Sequence, residues 1–148
     1  MRINFDKSAK FVLKQEVEPG HEEDGSLHTD PKDPGGTTRF GISQRAYPSI
    51  DLTKINKEQA LKIYLERWVA NGCDDLTWPL DIIHFDTDFN MGSKAAKSLL
   101  DKFGQDSGTY LMGRLAVYWN IYKRRKNAQH LSDWLKRIIN LYFFILEQ

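Results

Sequence analysis

Apolar residues recur at helical spacing over most of this chain. Asp6 is placed to cap a first helix of about Lys7 to Glu16, with Ala9, Phe11 and Val12 facing inward. Glu18-Pro19-Gly20 stops it, because proline lacks the amide hydrogen that a continuing helix needs. A long polar loop follows, His21 to Asp33, with Gly25 and Pro31 inside it and Pro34 just beyond. Gly35-Gly36 asks for positive φ or close backbone approach. Thr37 to Ile42 reads as a short strand or extended segment. Asn56-Lys57-Glu58-Gln59 reads as an N-cap with glutamine at the third helical position. Ala60, Ile63, Tyr64 and then Trp68 or Val69 continue that helix. Pro79 suits the first turn of another, which runs to about Asn90 and ends at Gly92. Ser93 caps a helix through about Phe103. Leu111, Leu115, Tyr118, Trp119 and Tyr122 mark a further face, and Trp134, Leu135, Ile138, Leu141, Tyr142 and Ile145 the last. The pattern predicts a mainly α (or α+β) fold of five to six helices, with at most a small β element near residues 37–43.

Length and composition fit this picture. A chain of 148 residues, 41% hydrophobic and 28% charged, is ordinary for one globular domain spanning residues 1–148. At that size roughly 68–70% of the unfolded surface can be buried, so no metal or disulfide staple is needed. Cys73 is the single cysteine, and no Cys/His cluster has zinc spacing. No metal and no cofactor is therefore expected. The formal net charge of +1 gives no argument for nucleic acid. Its distribution is uneven: Gly113 to Arg137 holds seven Lys or Arg against one Asp, and His21 to Asp33 holds five acids against one Lys. Two solvated faces would look like this, and so would a basic surface that meets an anionic polymer. Met1 to Asp6 lacks the apolar run of a secretory leader. Ile138 to Leu146 is interrupted by Asn140 and is too short to span a bilayer. These features predict synthesis in the cytoplasm and no stable membrane insertion. A membrane-surface role for Tyr142 to Ile145 is a second reading of that segment.

The candidate chemistry rests on carboxylates. His21, His28, His84 and His130 are far apart in sequence, and no Ser/His/Asp, Cys/His or phosphate-cradling pattern stands out. Cleavage of a glycosidic bond needs one protonated carboxyl and a second polar group on the water side. The acid must keep its proton near neutral pH, which favours a partly apolar pocket. Glu16, at the end of a helix after Phe11-Val12-Leu13, suits that demand, although a glutamate at a helix end is commonly just solvated.

The stretch Phe5 to Glu16, followed by Asp30-Pro31-Lys32-Asp33-Pro34-Gly35-Gly36-Thr37-Thr38-Arg39-Phe40-Gly41-Ile42-Ser43, resembles the opening of glycoside hydrolase family 108. Glu58 to Trp68, Phe85-Asp86-Thr87-Asp88-Phe89-Asn90-Met91-Gly92 and Trp134-Leu135-Lys136-Arg137-Ile138 resemble later family segments in the same order. The resemblance implies a lysozyme-like fold and an N-acetylmuramidase, often a phage or prophage endolysin. It implies that Glu16 is the general acid, that Asp33 positions water or stabilises the cation, and that Thr38 holds the water. The order Glu16, Asp33, Thr38 is also similar to that of the small phage lysozymes. Val17-Glu18 stands where the family has paired glycines, which makes Glu18 a rival acid; register with the preceding helix favours Glu16. The loop between Glu16 and Asp33 is longer than the family's, and Asp106 to Tyr118 is shorter.

Other roles stay open on sequence alone. Asp33 is equally a turn residue before Pro34. Gly35 and Gly36 are more naturally conformational than catalytic. Asn90, one helical turn from Asp86, either binds a sugar amide or is a buried structural amide. Tyr64 and Trp68 are candidates to stack on sugar rings, as well as natural core residues. The expected partner is the peptidoglycan glycan strand, met by a monomer, with a holin providing release to the wall. Two rivals remain: a lytic transglycosylase, and a non-catalytic wall-binding or phage structural protein with a decayed lysozyme fold.

Overall fold

The computed structural model describes residues 2–29 and 36–148. Asp33, with its proposed water-side role, and Gly35 lie outside the described residues. Among those described there are six α-helices and one small three-stranded sheet. The mainly α expectation, with a small β element, is met.

The chain groups into two compact units. The first in sequence comprises residues 5–69. It opens with α1 (Phe5–Glu16), preceded by a 3-10 turn over Arg2–Asn4. The helix starts slightly earlier than Asp6 capping predicts. Phe5, Ser8, Ala9, Phe11, Val12 and Leu13 form its buried face. The sheet follows, with β1 (His28–Thr29), β2 (Thr37–Arg39) and β3 (Ile42–Ser43) in antiparallel order. Residues 44–56 return through a turn-rich loop that plants Leu52 and Ile55 in the core. There Gln44 donates from Nε2 to the carbonyls of Tyr47 and Ile50, at 2.9 and 2.8 Å. The last element is α2 (Lys57–Ala70). Its start is the expected capping box: Gln59 N–H donates to Asn56 Oδ1 and Asn56 N–H to Gln59 Oε1, both at 2.9 Å. Ala60, Ile63, Tyr64 and Trp68 point inward from α2, and Trp68 meets Phe5 edge to face at 5.7 Å.

The second unit comprises residues 1–4 and 70–148. After a 3-10 turn over Cys73–Asp75 come α3 (Leu80–Met91), α4 (Ser93–Phe103), α5 (Ser107–Arg125) and α6 (Ala128–Leu146). Pro79 sits at the N-cap of α3, and Gly92, at φ +86°, separates α3 from α4. Every residue from Asp81 to Asp88 is buried. Helix α3 is therefore the unit's axis, and a helix buried all round must carry its polar groups in pairs. Asp86 accepts from Arg114 Nη1 at 2.7 Å and from Arg137 Nε at 2.9 Å. Arg114 donates from Nε to Tyr118 OH at 2.7 Å, and Tyr118 donates to Asn90 Oδ1. Helices α3, α5 and α6 are thus tied by one buried polar chain. Gly113 lets α5 approach α4, since a Cβ there would fall 2.4 Å from Phe103 Cδ2.

Candidate active site

The site lies within residues 5–69 and is built on a turn. Strands β2 and β3 pair with Arg39 opposite Ile42, which leaves Phe40-Gly41 as a two-residue hairpin loop. Such a loop in its mirror-image form needs positive φ at both residues. Phe40 has φ +53° and Gly41 +69°. Glycine adopts this freely, whereas a bulky residue is strained there.

Phe40 is held in that conformation from several sides. Its N–H donates to the Gly25 carbonyl at 3.2 Å. Its own carbonyl accepts from the buried Tyr64 hydroxyl at 2.8 Å. Its ring lies flush on Gly25, where a Cβ would come within 2.4 Å of the ring carbons. Gly25 itself has φ +71°, so both its backbone angle and its bare Cα are used. Arg39 completes the clamp: Nε donates to the Asp24 carbonyl and Nη1 to the Thr53 carbonyl, both at 2.8 Å. The guanidinium also lies 5.7 Å from the centre of the Phe40 ring.

The turn so fixed rests on Glu16. A Cβ on Gly41 would lie 2.6 Å from Glu16 Cγ and 2.8 Å from its Oε2. Glu16 is half-buried at the last position of α1, while Glu18, two residues on, is exposed. Both line one cleft of about 260 Å³, together with Ser26, His28, Thr38, Arg39, Phe40 and Gly41. Two sequence candidates, Glu16 and Thr38, thus share one cleft. Thr38 sits in the middle strand, paired with His28 on one side and Ser43 on the other. Part of the long acidic loop is also ordered onto this unit. His21 Nδ1 and Asp24 Oδ1 are 2.9 Å apart, and Lys57 Nζ donates to Glu23 Oε1 at 2.5 Å. The His21 hydrogen bond draws the exposed Asp24 carboxyl below its ordinary pKa.

The other candidates are placed elsewhere. Tyr64 and Trp68 have no exposed surface, so the expectation that they stack on sugar rings gives way to packing. Tyr64 instead acts on the cleft from behind, through Phe40. Asn90 belongs to the other unit, and its amide oxygen is taken by Tyr118. Sequence reasoning missed Ser26, His28 and Arg39. Ser26 and His28 sit in a polar loop with no periodicity to mark them. Arg39 was legible only as part of the Thr37 to Ile42 segment. Among the described residues, no group of three or more His, Cys, Asp or Glu is arranged to hold a metal.

A half-buried carboxylate on a cleft beneath a small hairpin is a candidate for acid catalysis. The comparisons narrow the chemistry. The glycosyl hydrolase 108 family model matches residues 19–92, half of the chain, and this protein belongs to that family. It is a glycoside hydrolase by that membership. The match takes in the cleft from Ser26 to Gly41, and it begins just after Glu16. The solved structure of Brucella abortus SagA is similar in fold, with a TM-score of 0.70 at 21% identity over 98% of this chain and 97% of that one. No curated protein matches the sequence.

Proposed function

We propose that this protein is a lysozyme that hydrolyses the β-1,4 bond between N-acetylmuramic acid and N-acetylglucosamine in peptidoglycan, in the manner of a phage or prophage endolysin. The observation that carries the reading is the half-buried Glu16 on a cleft shared with Thr38, in a glycoside hydrolase.

Glu16, protonated, gives its proton to the glycosidic oxygen as the bond to the anomeric carbon breaks. Positive charge then spreads over that carbon and the ring oxygen. Thr38 holds the attacking water by its hydroxyl, and Asp33 takes the water's proton or steadies the cation. The sugar 4-hydroxyl leaves, and a reducing end forms on the muramic acid. The Phe40-Gly41 turn packs against the Glu16 side chain and sets where its carboxyl sits on the cleft.

The test is release of dye from labelled cell wall by Glu16→Gln. Loss of general acid catalysis lowers turnover by roughly 10²–10⁴-fold while the fold persists. Glu18→Gln leaves activity near the parent level. Full activity in Glu16→Gln would overturn the assignment. Mass spectrometry of the released muropeptides checks the reaction: a reducing end supports hydrolysis, and a 1,6-anhydro end replaces it with transglycosylation.

A further inference from the structure

Helix α6 has two apolar faces. One is packed, with Arg137, Ile138 and Leu141 buried. The other carries Leu135, Ile139, Tyr142, Phe143 and Leu146, which are 40%, 54%, 52%, 58% and 62% exposed. At helical periodicity these five side chains fall in one band roughly 100° wide and about 16 Å long. A surface helix needs one apolar stripe for its core, so a second and continuous one asks for a partner.

The charge around the band says which partner. Lys123, Arg124, Arg125 and Lys126 are exposed where α5 hands over to α6, and Lys136 is exposed one turn from Ile139, on the flank of the band. Over residues 123–148 the exposed acids are Asp133 and Glu147, against those five bases. An anionic surface would meet both features at once. Aromatic Tyr142 and Phe143 suit the headgroup boundary, and the Lys136 stem can cover apolar surface while its ammonium reaches outward. Among the described residues no helix is long and apolar enough to cross a membrane.

We propose that α6 docks this protein on an anionic phospholipid surface, lying in the plane of the bilayer with the Leu135–Leu146 band at the headgroup boundary and Lys123 to Lys126 on lipid phosphates. This stands apart from the cleft chemistry and holds whether or not Glu16 is catalytic.

The experiment is co-sedimentation of the full chain with vesicles of phosphatidylglycerol and phosphatidylethanolamine, against vesicles of phosphatidylcholine alone. Binding to the anionic vesicles, lost in high salt, is expected. Ile139→Ser with Phe143→Ser should weaken it by on the order of tenfold or more, since both side chains lose apolar burial. Arg124→Gln with Arg125→Gln should weaken it by roughly 25-fold, because each base near an anionic surface strengthens binding roughly fivefold. All four residues are exposed, so the fold persists, which circular dichroism checks. No binding, equal binding to neutral vesicles, or full binding by either double variant overturns the proposal. A dimer in sedimentation equilibrium that is lost in Ile139→Ser with Phe143→Ser also overturns it, in favour of a second copy.

Discussion

Gly41 leaves no room for a side chain above Glu16: a Cβ there would meet Glu16 Cγ at 2.6 Å and Cβ at 2.8 Å. Gly41→Ala therefore does two things. It strains a backbone at φ +69°, at about 1–2 kcal/mol. It also pushes the Glu16 carboxyl from its place. A displacement on the order of 1 Å at a reacting group can cost about 100-fold in rate. Wall-lysis kinetics on Gly41→Ala should show that loss in kcat, with only a modest fall in melting temperature. An unchanged kcat would mean the Glu16 carboxyl is not set by this contact.

Tyr64 acts on the same turn from inside. Its hydroxyl is the donor to the Phe40 carbonyl, in a fully buried setting. Tyr64→Phe keeps the ring and leaves that carbonyl unsatisfied, at about 1–3 kcal/mol. Thermal or denaturant unfolding measures it. Hydrolysis should fall as well, because Phe40 needs this anchor to hold a strained φ. A variant as stable and as active as the parent would remove Tyr64 from the site's support.

Asp86 is the counter-ion of two buried guanidiniums. Asp86→Ala leaves Arg114 and Arg137 without it, at about 3–5 kcal/mol. For a chain of this length that corresponds to a fall of roughly 6–20 °C in melting temperature by calorimetry. The same carboxylate predicts acid sensitivity. Burial pushes its pKa up, but the charges of Arg137 and Arg114 outweigh this and hold it below the ordinary value. A depressed pKa contributes stability that is present above the unfolded value, about 3.9, and is lost as pH falls through the folded value. Unfolding free energy should therefore drop below about pH 4, and by less in Asp86→Asn.

Cys73 is buried at 1% exposure. Burial, followed by the nearby Asp88 and Asp81 charges, pushes its thiol well above the usual range. The thiolate is the reactive form. An aromatic disulfide reagent at pH 8 should thus react slowly with the folded protein and fast in denaturant. Rapid reaction of the native protein would contradict this burial.

Much of the helical frame was legible in the sequence because it depends on local rules. The Asn56–Gln59 capping box and the Gly92 break fall where spacing and capping chemistry put them. The inward face of α2 follows from its period. What was hidden depends on tertiary contacts. Nothing local marks α3 as buried all round, since Asp81, His84, Asp86 and Asp88 read as a polar face until their partners are known. Tyr64 and Trp68 look alike as aromatic candidates, and burial alone removes them from a sugar's reach. The site was half legible. Glu16 and Thr38 lie on one cleft, but the strand His28–Thr29 is too short to carry a period inside a polar loop. Phe40 at positive φ contradicts its own propensity, and only Gly25, Tyr64 and Arg39 together explain it.

Arg39 holds its two neighbours by their backbones: both acceptors are main-chain oxygens, of Asp24 and Thr53. Main-chain oxygens are present whatever residue occupies a position. The Arg39 clamp itself therefore does not depend on which side chains stand at 24 and 53, provided the path of the chain is kept. The acidic loop's own shape draws on side chains as well: Asp24 pairs with His21, and Glu23 accepts from Lys57. A change at position 24 that keeps the chain's path spares the Arg39 clamp and removes only the Asp24 side-chain contacts, so the two supports of the hairpin can be weakened one at a time.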